Sequence, residues 1–151
     1  NAYDLPHPLK NNKNINFSFS GIKTAVSLIV KKQKIIDQKF KENIFASFQN
    51  KIIEIIITKV EKVLKTLEEK EINIYDISIV GGVAANKKIR NSFSSTQSLN
   101  KYNFIYPPIE LCGDNAAMIA LACQQKYKNN VKPNTLFKAS PRLSINDMNI
   151  L

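Results

Sequence analysis

The sequence predicts an α/β layer fold with parallel strand pairs. Three features predict it: short apolar, β-branched runs that stop at glycine or proline; longer stretches with apolar residues every three or four positions; and alternation of the two along the chain. At 151 residues the chain is long enough for one domain with a real core and too short for two ordinary ones. Residues 1–151 are therefore read as a single unit, with a linker-like segment at 1–16 and a tail at 133–151.

The elements follow in order. Residues 1–16 are polar, Asn-rich and carry Pro6 and Pro8, which reads as irregular and exposed. The start at Asn1 rather than Met reads as a cut or processed start, with Asn1–Ala2 either a vector remnant or native. Phe17-Ser18-Phe19-Ser20 alternates apolar and small polar residues, as a short strand does, and Gly21 ends it. A helix is expected over 22–32, with Ile22, Ala25, Val26 and Ile29 on one face. From Gln38 to Lys70, Phe40, Ile44, Phe48, Ile52, Ile55, Val63 and Leu67 recur at helical spacing. This is one long helix, or two joined near Asn50, packed against a sheet. Ile77-Ser78-Ile79-Val80 suits a buried strand and stops at Gly81-Gly82. A short helix over 86–94, a strand over 103–106 stopped by Pro107-Pro108, and a helix opened by Asp114 over 115–127 complete the order. The tail after Pro133 has no period.

Composition excludes several classes. No apolar run approaches the roughly 18 residues of a membrane span, and the polar, proline-containing start is not a signal peptide, so a cytoplasmic chain is expected. Cys112 and Cys123 are too few for a disulfide framework and form no CxxC pair; both read as packing residues. His7, between Pro6 and Pro8, reads as a surface residue, and a single histidine supports neither a zinc site nor a nucleophilic triad. The net charge of +10 attracts phosphates, but all cations except Arg90 and Arg142 are lysines, which give a field without base readout. Basicity alone does not establish a nucleic-acid partner.

Three segments can carry chemistry. In Val80-Gly81-Gly82-Val83-Ala84-Ala85-Asn86 a strand runs into two glycines ahead of a helix. The backbone there can approach a ligand, and the helix start offers free N–H groups; a tight, closely packed turn is the plainer reading. In Leu111-Cys112-Gly113-Asp114-Asn115-Ala116-Ala117, Asp114 stands where a helix begins. It is an N-cap, a metal- or phosphate-facing carboxylate, or both, since a carboxylate has about four acceptor sites. In Phe17–Thr24, Ser18, Ser20 and Lys23 either face a nucleotide or lie on the surface above core phenylalanines.

Together, FSFSGIKT at 17–24, FASFQ at 45–49, VGGVAANKKIR at 80–90 and LCGDNAAMIA at 111–120 resemble the TsaD/Gcp family, formerly called O-sialoglycoprotein endopeptidase. The segment Ala2–Pro8 also resembles the stretch that precedes FSFSG in that family, and the likeness extends to about residue 141. The resemblance implies the second lobe of an actin/sugar-kinase/Hsp70-like (ribonuclease H-like) fold, with a nucleotide clasped between two α/β lobes. It implies a tRNA-modifying acyltransferase that moves threonylcarbamoyl from threonylcarbamoyl-adenylate to N6 of adenosine 37, in tRNAs reading codons that begin with A.

Residue by residue, Asn86 matches the asparagine that binds the adenylate, and Gly81 and Gly82 match glycines lining the nucleotide cleft. Asp114 matches the acidic ligand of the metal, usually iron; a threonine more often stands at the place of Gly113. The family's other metal ligands are two histidines in an HxxxH pattern on the first lobe, which these residues lack. Alone, the chain is therefore expected neither to transfer the group nor to hold iron tightly. The partners implied are tRNA, a paralogous subunit and a small ATPase, with no membrane; a dimer of the isolated chain through its bare lobe face is also an expectation. Two rival readings are the nucleotide lobe of another actin-like ATPase or sugar kinase, and a non-catalytic scaffold related to the enzyme. Motifs different from GGVAAN and CGDNAAMIA are expected of the kinases, and a scaffold is expected to lack Asn86 and Asp114.

Overall fold

A computed structural model describes residues 2–10 and 15–132. Their order is α1 (Ser20–Lys32), α2 (Gln38–Glu69), β1 (Asp76–Ser78), a 3-10 turn (Gly82–Ala85), α3 (Lys87–Ser95), β2 (Asn103–Ile105) and α4 (Ala116–Lys128). Brief 3-10 turns at Gln97–Leu99 and Ile109–Leu111 flank β2. The strands pair in parallel, Asp76 opposite Asn103 and Ser78 opposite Ile105, with α3 in the crossover. This is the predicted mixed α/β arrangement with a parallel pair. The tail at 133–151 and residues 1 and 11–14 of the linker-like segment lie outside the described residues.

The centre is α2, a single helix of 32 residues rather than two joined near Asn50. Asp37 caps its start, the carboxylate accepting from the Phe40 amide at 2.7 Å. At its end Glu71 takes φ 58°, and the Ile72 amide reaches back to the Leu67 carbonyl at 2.9 Å, a Schellman-type stop. The helix is apolar on two sides, and each finds a partner. Ile53, Ile56, Ile57, Val60 and Leu64 pack with Ile89 and Phe93 of α3 and with Ile77 and Phe104 of the strands. Phe48, Ile52 and Ile55 pack with Ile22, Ala25, Val26 and Ile29, the α1 face predicted from spacing.

Two expectations are corrected. The alternation at Phe17–Phe19 produces no strand; the two rings stack 5.8 Å apart, and Phe19 has helical backbone as the N-cap of α1. No described strand pairs with this backbone, and Ser20 already opens α1. The opening segment, read as exposed, instead runs along α2. The Tyr3 amide donates to Ser47 Oγ at 3.1 Å, Leu5 is buried beside Ile55, and buried Lys59 donates to the Leu9 carbonyl at 3.0 Å. His7 is consequently no surface residue: its side chain is 6% exposed, with Nδ1 3.1 Å from Glu54 Oε1. Ser47 and Glu54 are two helical turns apart on one face, so an aperiodic segment is held by a periodic one.

Candidate functional site: the Asn86 groove and the Asp114 loop

β1 ends in the turn that presents Asn86. Gly81 has φ 85°, a conformation L side chains rarely adopt, and its carbonyl accepts from the Ala84 amide at 2.9 Å. No atom lies within 4 Å of a Cβ built on Gly81 or Gly82, so the turn is open on that side rather than tightly packed. Asn86 then caps α3. Its Oδ1 accepts from the Lys88 amide at 3.0 Å, the Ile89 amide at 3.3 Å and Gln49 Nε2 at 3.2 Å. The carbonyl half of the side chain is thereby saturated, and Nδ2 is the half left to donate.

Asn86 lines an open groove of about 720 Å³ between α2 and the glycine turn. Its walls include Phe45, Phe48, Gln49, Gly82 and Val83. A largely apolar trough with a few fixed polar groups suits a flat, partly polar organic ligand. Sequence reasoning gives Gln49 no role of its own; the signal available is its place at the end of FASFQ, one of the four blocks.

Asp114 lies elsewhere, in the loop from Pro107 to Asn115, and does not line that groove. The N-cap of α4 is Asn115, whose Oδ1 accepts from the Met118 amide at 2.9 Å. Asn wins because it stands one residue nearer the first turn, and its Nδ2 also closes the loop onto the Gly113 carbonyl at 2.9 Å. Asp114 is thus not the cap: its carboxylate is exposed, with no hydrogen-bond or ion-pair partner among the described residues. Cys112 is buried as predicted, whereas Cys123 on α4 is exposed. Ser18 Oγ lies 3.4 Å from Ser20 Oγ, and Lys23 is exposed on the first turn of α1; neither lines the Asn86 groove.

The two segments meet through Arg90. Its Nε donates to the Ala84 carbonyl at 2.6 Å and its Nη2 to the Pro107 carbonyl at 2.9 Å, and the guanidinium lies 4.8 Å over the Tyr106 ring. Burial pushes the Tyr106 phenol pKa up, against the opposing charge of Arg90. Among the described residues no group of three or more His, Cys, Asp or Glu side chains could hold a metal ion. Asp114 fits as one ligand, not as a site.

The site thus consists of a glycine turn at the end of a strand, an amide beside a groove and a free carboxylate on the next loop, carried on a small parallel α/β unit. Residues 1–121 match the family model described as "TsaD: tRNA N6-adenosine threonylcarbamoyltransferase", and the chain belongs to that family. Among curated proteins it is similar to the tRNA N6-adenosine threonylcarbamoyltransferase of Rickettsia massiliae (strain Mtu5), 41% identical over 98% of this chain and 44% of the relative. The Thermosipho africanus (strain TCF52B) protein of the same name is 39% identical over 96% of this chain and 42% of the relative. The chain spans less than half the length of these relatives. No described helix is long and apolar enough to cross a membrane.

Proposed function

We propose that this chain is the second, carboxy-terminal lobe of an actin-like two-lobe enzyme that modifies tRNA in the cytoplasm. The reaction is transfer of threonylcarbamoyl from threonylcarbamoyl-adenylate to N6 of adenosine 37. The adenine amine attacks the carbamoyl carbon, the bond from that carbon to the phosphate oxygen breaks, AMP leaves, and the amine gives up its proton. Family membership supports the activity, and the state of Asn86 carries the assignment of this lobe to adenylate binding. With Oδ1 committed to two α3 amides and Gln49, Asn86 offers its Nδ2 donor to an acceptor on the ligand. A ribose hydroxyl or a phosphoryl oxygen supplies that acceptor. Gly81 and Gly82, with open space where any Cβ would stand, leave room for the ligand to meet the backbone.

Asp114 contributes one carboxylate to an iron site whose remaining ligands come from the first lobe. When bound, the metal would act as a Lewis acid toward the donor. The tRNA phosphates meet the lysine-rich surface, and the paralogous subunit and small ATPase complete the working complex.

The test is Asn86→Ser in the full-length protein. Serine keeps a capping oxygen for α3 but removes the amide donor. The expected result is a rise in KM for the adenylate of about tenfold, the size of one lost hydrogen bond, with a melting temperature lowered less than in Asn86→Ala because α3 stays capped although Gln49 loses its acceptor. An unchanged KM would remove Asn86 from the binding site.

A further inference from the structure

Arg90 projects from α3, outside the residues to which the family resemblance assigns a role. Its polar contacts fall on two separate segments. On one side Nε holds the Ala84 carbonyl at 2.6 Å, within the turn that ends at Asn86. On the other, Nη2 reaches the Pro107 carbonyl at 2.9 Å and Cys112 Sγ at 3.2 Å, and the guanidinium covers the Tyr106 ring. Those three residues belong to the stretch leading to Asp114. Cys112 is itself buried and directs its thiol toward the Pro108 carbonyl at 3.5 Å, so the sulfur is fixed within the same loop.

No carboxylate pairs with Arg90 among the described residues. Its charge is directed at neutral backbone carbonyls and a ring face, an arrangement that serves geometry. A guanidinium presents donors in a rigid planar fork and stacks on aromatic rings; the single nitrogen of lysine does neither. The other hydrogen bonds of the backbone it holds are local, such as Ala84 N–H to the Gly81 carbonyl and Cys112 N–H to the Ile109 carbonyl, and do not join the two segments. The Asn86 turn is a single 3-10 turn that opens at Gly82 after Gly81, and the loop to Asp114 contributes no strand or long helix.

We propose that Arg90 is a positioning residue: it sets the turn presenting Asn86 against the loop carrying Asp114, so that both groups act on one bound donor. The role of both groups rests on the function proposed above. The cross-link itself does not, and this separates the two in the test. The polar and ring contacts of Arg90 all fall on the two segments it joins, and it acts through them.

The experiment compares the full-length protein with its Arg90→Lys and Asn86→Ser variants by amide hydrogen exchange and by steady-state kinetics with threonylcarbamoyl-adenylate and tRNA. In R90K, exchange is expected to quicken at least about tenfold both at residues 82–86 and at 109–114, with the α2 core unchanged. Its kcat is expected to fall by at least about tenfold while KM for the adenylate also rises. N86S is expected to raise KM without loosening residues 109–114. If R90K leaves the 109–114 amides as protected as before, or loosens both segments with kcat and KM unchanged, the proposal is overturned. Should the unsubstituted protein show no transfer, the function proposed above fails, and exchange alone decides the cross-link. If R90K does not fold, Cys112→Ala weakens the loop side of the cross-link, removing the sulfur's contact with Arg90 together with the thiol's contacts to the Pro107 and Pro108 carbonyls. It is expected to loosen residues 109–114 by about threefold, and unchanged protection there overturns the proposal.

Discussion

Helices α2 and α4 are both rich in apolar residues, yet they fare differently. In α2, Ile53, Ile55 and Leu64 are buried between α1 on one side and α3 with the strands on the other. In α4, every residue from Ala116 to Lys128 is exposed, including Leu121 at 58% and Ile119 at 63%. The first helix is held by packing. The second is held locally by the Asn115 cap, good helix formers such as Ala116, Ala117, Ala120 and Leu121, and an Asn130 stop at φ 56°. Composition alone therefore does not tell a core helix from one whose apolar residues lie exposed. The pattern around each helix does, because α2 is apolar on two sides that face neighbours of the same chain.

The largest test of this contrast is truncation on each side. Phe93→Ala, in the cluster beneath α2, is expected to lower the unfolding free energy by about 3–5 kcal/mol in urea denaturation. Leu121→Ala on α4 is expected to change it by less than about 0.5 kcal/mol in the same chain. A comparable loss at both positions would break the contrast. A finer test uses the two asparagine caps. Asn86→Ala on packed α3 is expected to cost about 1–2 kcal/mol globally, since Gln49 also loses its acceptor. Asn115→Ala is expected instead to fray α4 locally, seen as faster exchange of the Met118 amide with an unchanged global midpoint.

The smallest effect concerns pH. The Glu54 carboxyl is held below its ordinary value of 4.5, chiefly by its hydrogen bond from Lys51 at 2.7 Å and then by His7, against the opposing effect of burial. A depressed folded-state pKa gives stability that is full above the unfolded value and lost as pH falls through the folded one. Glu54→Gln is therefore expected to flatten the fall in unfolding free energy below about pH 4.5, by less than about 1 kcal/mol because water screens the Glu54 carboxylate, whose side chain is 41% exposed. α4 contains no acidic residue and contributes nothing to that limb.

Much of this is legible in the order of residues. Helical spacing places α1 and α2, the β-branched run at 77–80 places β1 (although Ser78 and Val80 are exposed rather than buried), the stop at Pro107-Pro108 marks the end of the second strand, and Gly81-Gly82 locates the turn before α3. Asn86 and Asp114 stand out in their blocks, but sequence reasoning assigns the cap of α4 to Asp114 when the adjacent Asn115 takes it. Either residue type caps a helix, and a shift of one position is decided by backbone geometry that no pattern encodes. The burial of His7 escapes the sequence for a related reason: a proline-bounded segment has no period to reveal which face of α2 it will follow.

What the residues by themselves determined, then, is local: where the chain coils, where it extends, where glycine lets it turn, and which family its blocks belong to. These follow from side-chain periodicity and from the steric freedom of single residues. What only tertiary structure decided is pairing between distant segments: the opening segment on α2, Gln49 on Asn86, and Arg90 across the Ala84 and Pro107 carbonyls. Apart from Arg90 to Ala84, those contacts join residues far apart in the chain, and a donor's partner is chosen by the folded backbone that carries the acceptor into reach.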